Sequence, residues 1–296
     1  MATKMDKFMK PKGILVSIGG AEDKGTDLEL GIFTRNILNF MEMGILKNIV
    51  NLLKDKNARI EVITTASQIP DEVYPNYVDA FAKLGFNNIG HFRIRNREDV
   101  SDTKLIERLR KCDALMFSGG NQLRLTSIYG GTEFLDIVHE RFIHDYFIIA
   151  GTSAGAMAMS NTMIYEGNAT NAHLKGEVKI TTGLAFLQGV IIDSHLNKRG
   201  RFPRLAQAVA ANPGAIGIGL GEDTGVIVRN GEELEAIGSG AIFILDGRKI
   251  GYNNIGDAEF NEPISVENMV VHIMSKGNTF NLKTRHFSAG NAIVAK

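Results

Sequence analysis

Cysteine is almost absent from this chain of 296 residues, which contains Cys112 alone. A single thiol excludes an intrachain disulfide and is typical of a reducing compartment. An excess of charge of one sign is also absent, because 33 basic and 33 acidic residues give a formal net charge of zero. Nucleic-acid-binding proteins usually carry a basic excess, so we expect no nucleic-acid partner.

Long apolar runs are missing as well. Residues 1–12 are charged and lack the apolar core of a signal peptide, and we expect them to form a flexible tail. No stretch approaches the roughly 18 apolar residues of a membrane span. We therefore expect a cytoplasmic protein without membrane contact. Since no linker, repeat or low-complexity segment interrupts the chain, we predict a single α/β domain over residues 1–296.

What the sequence does contain is a series of short apolar runs that end in glycine or small polar residues. They span residues 14–18, 60–65, 114–117 and 147–150. Such runs are typical of buried strands in a parallel sheet. Helix-like stretches lie between them, at residues 33–51 and at residues 102–111, the second with Ser101 as its N-cap. This alternation predicts a doubly wound, mainly parallel α/β sheet that binds ligands at the carboxyl ends of its strands.

The last third of the chain has a different pattern. Further strand-like segments cover residues 226–231, 234–237, 241–247 and 270–274. Their short spacing and turn residues favour a C-terminal antiparallel β extension. We expect this extension to join the main sheet.

Residues 151–155 read Gly-Thr-Ser-Ala-Gly, directly after a predicted strand. A serine on a sharp strand-to-helix turn needs small neighbours, and the turn exposes its hydroxyl. Ser153 is therefore the candidate nucleophile, with the amide of Ala154 aimed at a developing oxyanion. Gly120, after the preceding strand, is the candidate second donor. A glycine-rich turn with an incidental serine is the alternative interpretation.

Serine needs a base, and the base needs a carboxylate to orient it. His195 follows an apolar run and should lie at the carboxyl end of a strand. Glu222 and Asp223 follow another glycine-spaced strand, although a solvated acidic turn would look the same. No cysteine and histidine cluster and no His-Glu-x-x-His motif is present, so we expect neither a metal nor another cofactor.

Taken together, these segments resemble the cyanophycinases, a serine peptidase family that also includes aspartyl dipeptidases. The matching residues are 19–24, 118–125, 151–156, 193–195, 199–205, 217–219 and 222–224. The family has a class I glutamine-amidotransferase-like, flavodoxin-like fold. Several segments in the family's order are a specific signal, whereas Gly-x-Ser-x-Gly alone is weak.

The resemblance implies that Ser153 is the nucleophile, His195 the general base and Glu222 the orienting carboxylate. The residues that fall where the family lines its substrate pocket are Gln122, Asp193, Ser194, Arg199, Arg201 and Arg204. The implied substrate is cyanophycin, a poly-aspartate with arginine joined to each side-chain carboxyl, which the family cleaves to β-aspartyl-arginine dipeptides. The implied assembly is a homodimer.

Two positions depart from the family's pattern. Ser194 replaces the usual glutamine, and Asn171 occupies the place, 18 residues after the nucleophile, of a second acidic residue in relatives, unless a small shift moves Glu166 or Glu177 there. An aspartyl or isoaspartyl dipeptidase acting on small aspartate-containing peptides therefore stays open. A non-catalytic binding module on the same scaffold also stays open. So does a glutamine amidotransferase-like hydrolase or transferase, although its nucleophile is normally a cysteine where this chain has Ser153. The order Ser, His, Glu along the chain argues against an ordinary α/β-hydrolase.

Overall fold

A computed structural model describes residues 10–24 and 44–290. The strands are β1 (Ile14–Ile18), β2 (Ile60–Ile63), β3 (Ile89–Phe92), β4 (Ala114–Phe117), β5 (Ile148–Thr152), β6 (Thr162–Glu166), β7 (Lys179–Thr182), β8 (Val190–Asp193), β9 (Ile216–Leu220), β10 (Thr224–Arg229), β11 (Glu233–Gly238), β12 (Ile242–Asp246), β13 (Val270–Met274), β14 (Thr279–Asn281) and β15 (His286–Ser288). The helices are α1 (Ile45–Leu52), α2 (Pro70–Lys83), α3 (Thr103–Lys111), α4 (Gln122–Tyr129), α5 (Glu133–His144), α6 (Ala154–Met157) and α7 (Phe202–Ala211). In these parts of the chain, no helix is long and apolar enough to cross a bilayer.

Within the described residues, the main sheet has nine strands in the order β15-β14-β11-β10-β1-β5-β4-β2-β3. The five strands from β1 to β3 in this order are parallel, and the other four are antiparallel. Alternate side chains point to opposite faces, so Val16 packs in a core cluster with α1 and α2, while Leu15 joins a cluster with α3 to α7. Helices cover both faces, which confirms the doubly wound α/β prediction.

A second sheet carries part of the C-terminal extension. β8 and β9 are parallel, and β12 and β13 continue this sheet in antiparallel fashion. The expectation that residues 241–247 and 270–274 join the main sheet is therefore wrong, although β10 and β11 do join it. The chain changes sheets after β11 at Gly238, which has a φ of +90° and whose Cβ would lie 2.2 Å from the carbonyl oxygen of Asp223. Only glycine allows such a close crossing.

The helix boundaries also differ from those predicted. Of the predicted helix at residues 33–51, the structure shows α1, while residues 33–43 lie outside the described part, as do residues 1–9 of the predicted tail. α3 begins after Asp102, whose carboxylate accepts a hydrogen bond of 2.8 Å from the amide of Lys104. Asp102, and not Ser101, is thus the N-cap, because Ser101 ends a preceding 3₁₀ turn.

The turn between β5 and α6, which carries Ser153, is tightly packed. A Cβ on Gly151 would lie 2.7 Å from the carbonyl carbon of Gly155. A Cβ on Gly155 would lie 2.6 Å from the carbonyl oxygen of Phe117 at the end of β4. Contacts this short with backbone atoms cannot be relieved by a side-chain rotation, so both glycines are required by packing.

We expect Gly155→Ala to lower the free energy of unfolding by about 1–3 kcal/mol, because the added methyl overpacks the turn against β4. Gly214→Ala is the matched control, since a Cβ there would meet nothing within 4 Å. Urea denaturation of the two variants and the wild type measures the difference. Equal stability of the two variants would contradict this account of the turn.

Candidate active site

Ser153 lies at the sharp turn between β5 and α6. Its backbone has φ 51° and ψ −109°, a conformation that non-glycine residues rarely adopt. The amide of Ser153 donates a hydrogen bond of 2.9 Å to the carbonyl of Ile18 in β1. The strained backbone is thus fixed by the neighbouring strand, as the motif at residues 151–155 predicts.

A chain of hydrogen bonds connects Ser153, His195 and Glu222. The Nε2 atom of His195 is 3.0 Å from the Oγ atom of Ser153, and its Nδ1 atom is 2.8 Å from Oε1 of Glu222. A carboxylate only accepts, so Nδ1 carries the proton and Nε2 presents its lone pair to the serine hydroxyl. The structure brings together the three residues that the sequence singled out for nucleophile, base and orienting carboxylate.

These three groups come from two different sheets. Ser153 follows β5 of the main sheet, His195 follows β8 of the second sheet, and Glu222 lies where the chain passes from β9 to β10. The carboxyl ends of strands in both sheets therefore converge on one site. The sequence located His195 and Glu222 at strand ends correctly, but did not reveal that those strands belong to a second sheet.

The backbone at the end of β1 connects the three loops. The carbonyls of Ile18, Gly19 and Gly20 accept hydrogen bonds of 2.9 Å from the amides of Ser153, His195 and Asp223, respectively.

Gly20 also lies against the imidazole, since its φ is +105° and a Cβ there would lie 2.3 Å from Cε1 of His195. Sequence reasoning did not assign Gly20 a role in the site. The signal available was two successive glycines directly after a buried strand.

The surroundings of His195 lower its pKa below the ordinary value. Burial of the ring is the main cause, and the cations of Arg199 and Arg201 act in the same direction, while the hydrogen bond to Glu222 opposes them. The imidazole is therefore neutral near pH 7 and able to accept a proton. Lys198, which sequence reasoning missed, pairs with Glu222 through a contact of 3.2 Å to Oε2.

Arg199 and Arg201 differ in their surroundings. Arg199 is exposed, and its amide donates to the carbonyl of His195 over 3.1 Å. Arg201 is half-buried and donates from Nη1 to the carbonyl of Ser194 over 3.0 Å. Burial, together with the charges of Arg204 and Arg199, lowers the pKa of Arg201 to about 10, against the opposing effect of Asp193. Both side chains thus place positive charge beside the base.

Asp193 and Arg204 lie beneath this surface as a buried ion pair. Both residues are buried, Asp193 completely. Arg204 donates to both carboxylate oxygens of Asp193, from Nε over 2.8 Å and from Nη2. Ser194 is also buried, with its hydroxyl 3.3 Å from the sulfur of Met157. Asp193 and Arg204 therefore join the end of β8 to α7, whereas the side chain of Ser194 contacts α6. All three predicted pocket residues are buried.

The remaining predicted residues lie near Ser153. A Cβ on Gly119 would be 3.4 Å from the Cβ of Ser153, whereas Gly120, with φ +140°, packs against the carbonyl of Ala66. Ala154 is the first residue of α6, where amides lack intrahelical partners. Gln122 begins α4, and its amide nitrogen donates to the carbonyls of residues 164 and 165 in β6, over 3.0 and 3.3 Å.

The alternative acidic positions are engaged elsewhere. Glu166 pairs with Lys179 over 2.9 Å, and Glu177 accepts a hydrogen bond of 2.6 Å from the amide of Asn168. Asn171 is exposed in the same loop. Of the acidic residues considered for the orienting role, Glu222 is the one whose carboxylate is hydrogen-bonded to His195.

Comparisons with known proteins agree with the sequence motifs. The profile of peptidase family S51 matches residues 40–236. The chain is 32% identical over 273 residues to the cyanophycinase of Synechococcus elongatus, covering 92% of this chain and 80% of that protein. It is 31% identical to the cyanophycinase of Geminocystis herdmanii, covering 92% and 95%.

A solved structure supports the fold. A peptidase from an acI-B1 Actinobacterium matches with a TM-score of 0.64 at 18% identity, covering 92% of this chain and 98% of that one. At this identity the similarity shows a shared fold and nothing more. The assignment of the chain to a family rests on the sequence matches. The chain belongs to peptidase family S51 and is a serine-type peptidase similar to the cyanophycinases.

Proposed function

We propose that this peptidase degrades cyanophycin as an exopeptidase, releasing β-aspartyl-arginine dipeptides through an acyl-enzyme on Ser153. The observation that carries the proposal is the hydrogen-bonded series Ser153–His195–Glu222 with two arginines beside the base, in a chain similar to cyanophycinases. In this proposal, the series is a catalytic triad.

In the first step, Nε2 of His195 takes the hydroxyl proton of Ser153 while Oγ attacks the carbonyl carbon of an aspartyl backbone peptide. The resulting imidazolium is stabilised by Glu222, which is 2.8 Å from Nδ1. His195 then gives the proton to the leaving amine as the peptide bond breaks. Water, deprotonated by the same nitrogen, hydrolyses the ester and restores the free serine.

The negative charge on the carbonyl oxygen needs donors close to Ser153. We assign this role to the amides of Ala154 and Gly120, which flank the serine from the start of α6 and from the loop after β4. The short distance between Gly119 and Ser153 supports the second assignment, because it brings that loop against the nucleophile. Donors of this kind are worth about 10²–10³ in kcat.

Recognition of the substrate falls to Arg199 and Arg201 in this proposal. Each unit of cyanophycin carries a free carboxylate, which an arginine fork binds well. Asp193 and Arg204 neutralise each other beneath this surface, so we assign them the support of the pocket and not direct contact with the substrate. We assign Gln122 a supporting role as well, because its side-chain amide donates a hydrogen bond to a backbone carbonyl of β6.

An aspartyl or isoaspartyl dipeptidase is the second candidate. The observation that favours it is the burial of Ser194 against Met157, because this position then offers no side-chain amide to a long substrate. Both candidates share the chemistry described above and differ only in the length of the chain that the pocket accepts.

We expect the purified protein to release β-aspartyl-arginine from insoluble cyanophycin, and Ser153→Ala to reduce this release by several orders of magnitude while folding normally. Mass spectrometry of the soluble fraction measures the product, and Ser275→Ala, at an exposed serine, is the matched control. Release of the dipeptide by Ser153→Ala at the wild-type rate would refute the assignment of Ser153 as the nucleophile. Cleavage of aspartyl dipeptides alone would favour the second candidate.

Glu222→Gln should lower kcat by roughly ten-thousand-fold, since the amide cannot stabilise the imidazolium and favours the wrong tautomer of His195. Glu166→Gln and Glu177→Gln are controls with the same chemical change at the two other acidic positions. Steady-state kinetics on whichever substrate the wild type cleaves compares the three. A larger loss in either control would move the orienting role away from Glu222.

Arg199→Gln removes one of the cations that lower the pKa of His195, so we expect that pKa to rise. More of the base is then protonated at a given acidic pH, and the acidic limb of kcat/KM moves to higher pH. Ring nitrogen shifts of His195, followed by NMR during a pH titration, measure the change directly. Arg229→Gln, in β10, is the control, and an unchanged or lower pKa in Arg199→Gln would contradict the prediction.

A further inference from the structure

A second carboxylate, Glu22, lies beside the turn between β5 and α6 that carries Ser153. It is not part of the hydrogen-bonded series Ser153–His195–Glu222. It follows the loop at the end of β1 and is 5% exposed. Its Oε2 accepts a hydrogen bond of 2.5 Å from the hydroxyl of Thr152, and its Oε1 accepts one of 2.6 Å from the hydroxyl of Tyr77 in α2. Lys24 adds an ion pair of 3.0 Å. Thr152 is the residue directly before Ser153.

These bonds keep Glu22 ionised in spite of its burial. Burial raises the pKa of the carboxyl, but the charge of Lys24 and the hydrogen bonds from Thr152, Tyr77 and Lys24 outweigh it, so the pKa lies below the ordinary value. Hydrogen bonds to a charged acceptor are about twice as strong as neutral ones. The ionised carboxylate therefore binds Thr152, Tyr77 and Lys24 strongly.

The hydrogen bonds of Glu22 hold residues 18–24, the segment that contacts both Ser153 and His195. Two residues before Glu22, Gly20 touches the ring of His195, and the carbonyls of residues 18–20 receive the amides of Ser153, His195 and Asp223. Thr152 ties the carboxylate to β5 and Tyr77 ties it to α2. A shift of this segment would move the serine and the imidazole relative to each other.

We infer that Glu22 is a positioning residue for the peptidase reaction, holding the 18–24 segment against the nucleophile turn so that Ser153 and His195 keep their reactive geometry. This inference rests on the proposed function of those two residues. The role differs from that of Glu222, because Glu22 acts on the backbone of the site and on Thr152, and not on the imidazole nitrogen.

The test compares Glu22→Gln with Glu61→Gln. Like Glu22, Glu61 is a buried carboxylate with a basic partner, and it pairs with Arg59 and Arg108. Unlike Glu22, it lies within strand β2, away from Ser153. We expect Glu22→Gln to lower kcat by about 100-fold, as a misplacement near 1 Å does, with KM changed less than about twofold. Glu61→Gln should lose stability but keep kcat within about twofold of the wild type.

Two neutral variants cover the case in which Glu22→Gln does not fold. Thr152→Val and Tyr77→Phe each remove one donor and preserve shape and charge, and we expect Thr152→Val to lower kcat by about 10-fold. Wild-type kcat in folded Glu22→Gln, or in both neutral variants, would overturn the inference. So would an equal loss of kcat in Glu61→Gln.

A spectroscopic measurement separates failure of this inference from failure of the proposed function. The proton on Nδ1 of His195 is observable by NMR at low pH and is assigned by its absence in His195→Ala. We expect it to move and broaden in Thr152→Val and to stay unchanged in Glu61→Gln, whatever the substrate. If the wild type cleaved neither cyanophycin nor aspartyl dipeptides, the proposed function would fail, and an unchanged resonance in Thr152→Val would separately refute the positioning role.

Discussion

Three successive peptide groups at the end of β1 hold the candidate active site together. The carbonyls of Ile18, Gly19 and Gly20 receive the amides of Ser153, His195 and Asp223, the neighbour of Glu222. Backbone hydrogen bonds tolerate only small changes in distance and angle. The main sheet and the second sheet are therefore fixed relative to each other at the point where Ser153 and His195 meet. In enzymes generally, a misplacement of about 1 Å costs on the order of 100-fold in rate.

The sequence predicted those parts of the fold that depend on local pattern. Buried apolar runs located four of the five parallel strands of the main sheet and missed β3, whose four residues include glycine and histidine. The small residues at 151–155 located the strained turn. Both signals depend on only a few neighbouring residues. The sheet to which a strand belongs is not a local property. Both β11 and β12 coincide with predicted strands of the C-terminal extension, yet β11 pairs with β10 and β12 pairs with β9, because the chain crosses between the sheets at Gly238.

The functions of the charged residues near His195 were harder to predict for a related reason. The resemblance assigned Asp193 and Arg204 to the substrate pocket, and residues of these types are usually exposed. The fold instead buries them together, Asp193 at the end of β8 and Arg204 in α7. If Arg204 turned away to bind a substrate, the buried carboxylate of Asp193 would lose both of its hydrogen bonds to Arg204 and keep, as an ion pair, the longer contact of 3.7 Å to Arg201. Removing the main partner of a buried charge costs about 3–5 kcal/mol. This penalty keeps the pair intact and leaves Arg199 and Arg201 as the cations beside the base.

Glu22 and Glu222 show how the surroundings decide the role of a carboxylate. Glu22 is almost fully buried, and its two oxygens are bonded to Thr152, Tyr77 and Lys24. An acceptor bonded in this way can hold a loop, and the partners of the His195 ring nitrogens are Glu222 and Ser153 instead. Glu222 has a partly exposed side chain and binds Nδ1 of His195 directly, so it is able to respond when the imidazole becomes charged. Both residues follow glycine-containing strand ends in the sequence, and only their partners in three dimensions support the different roles that we propose for them.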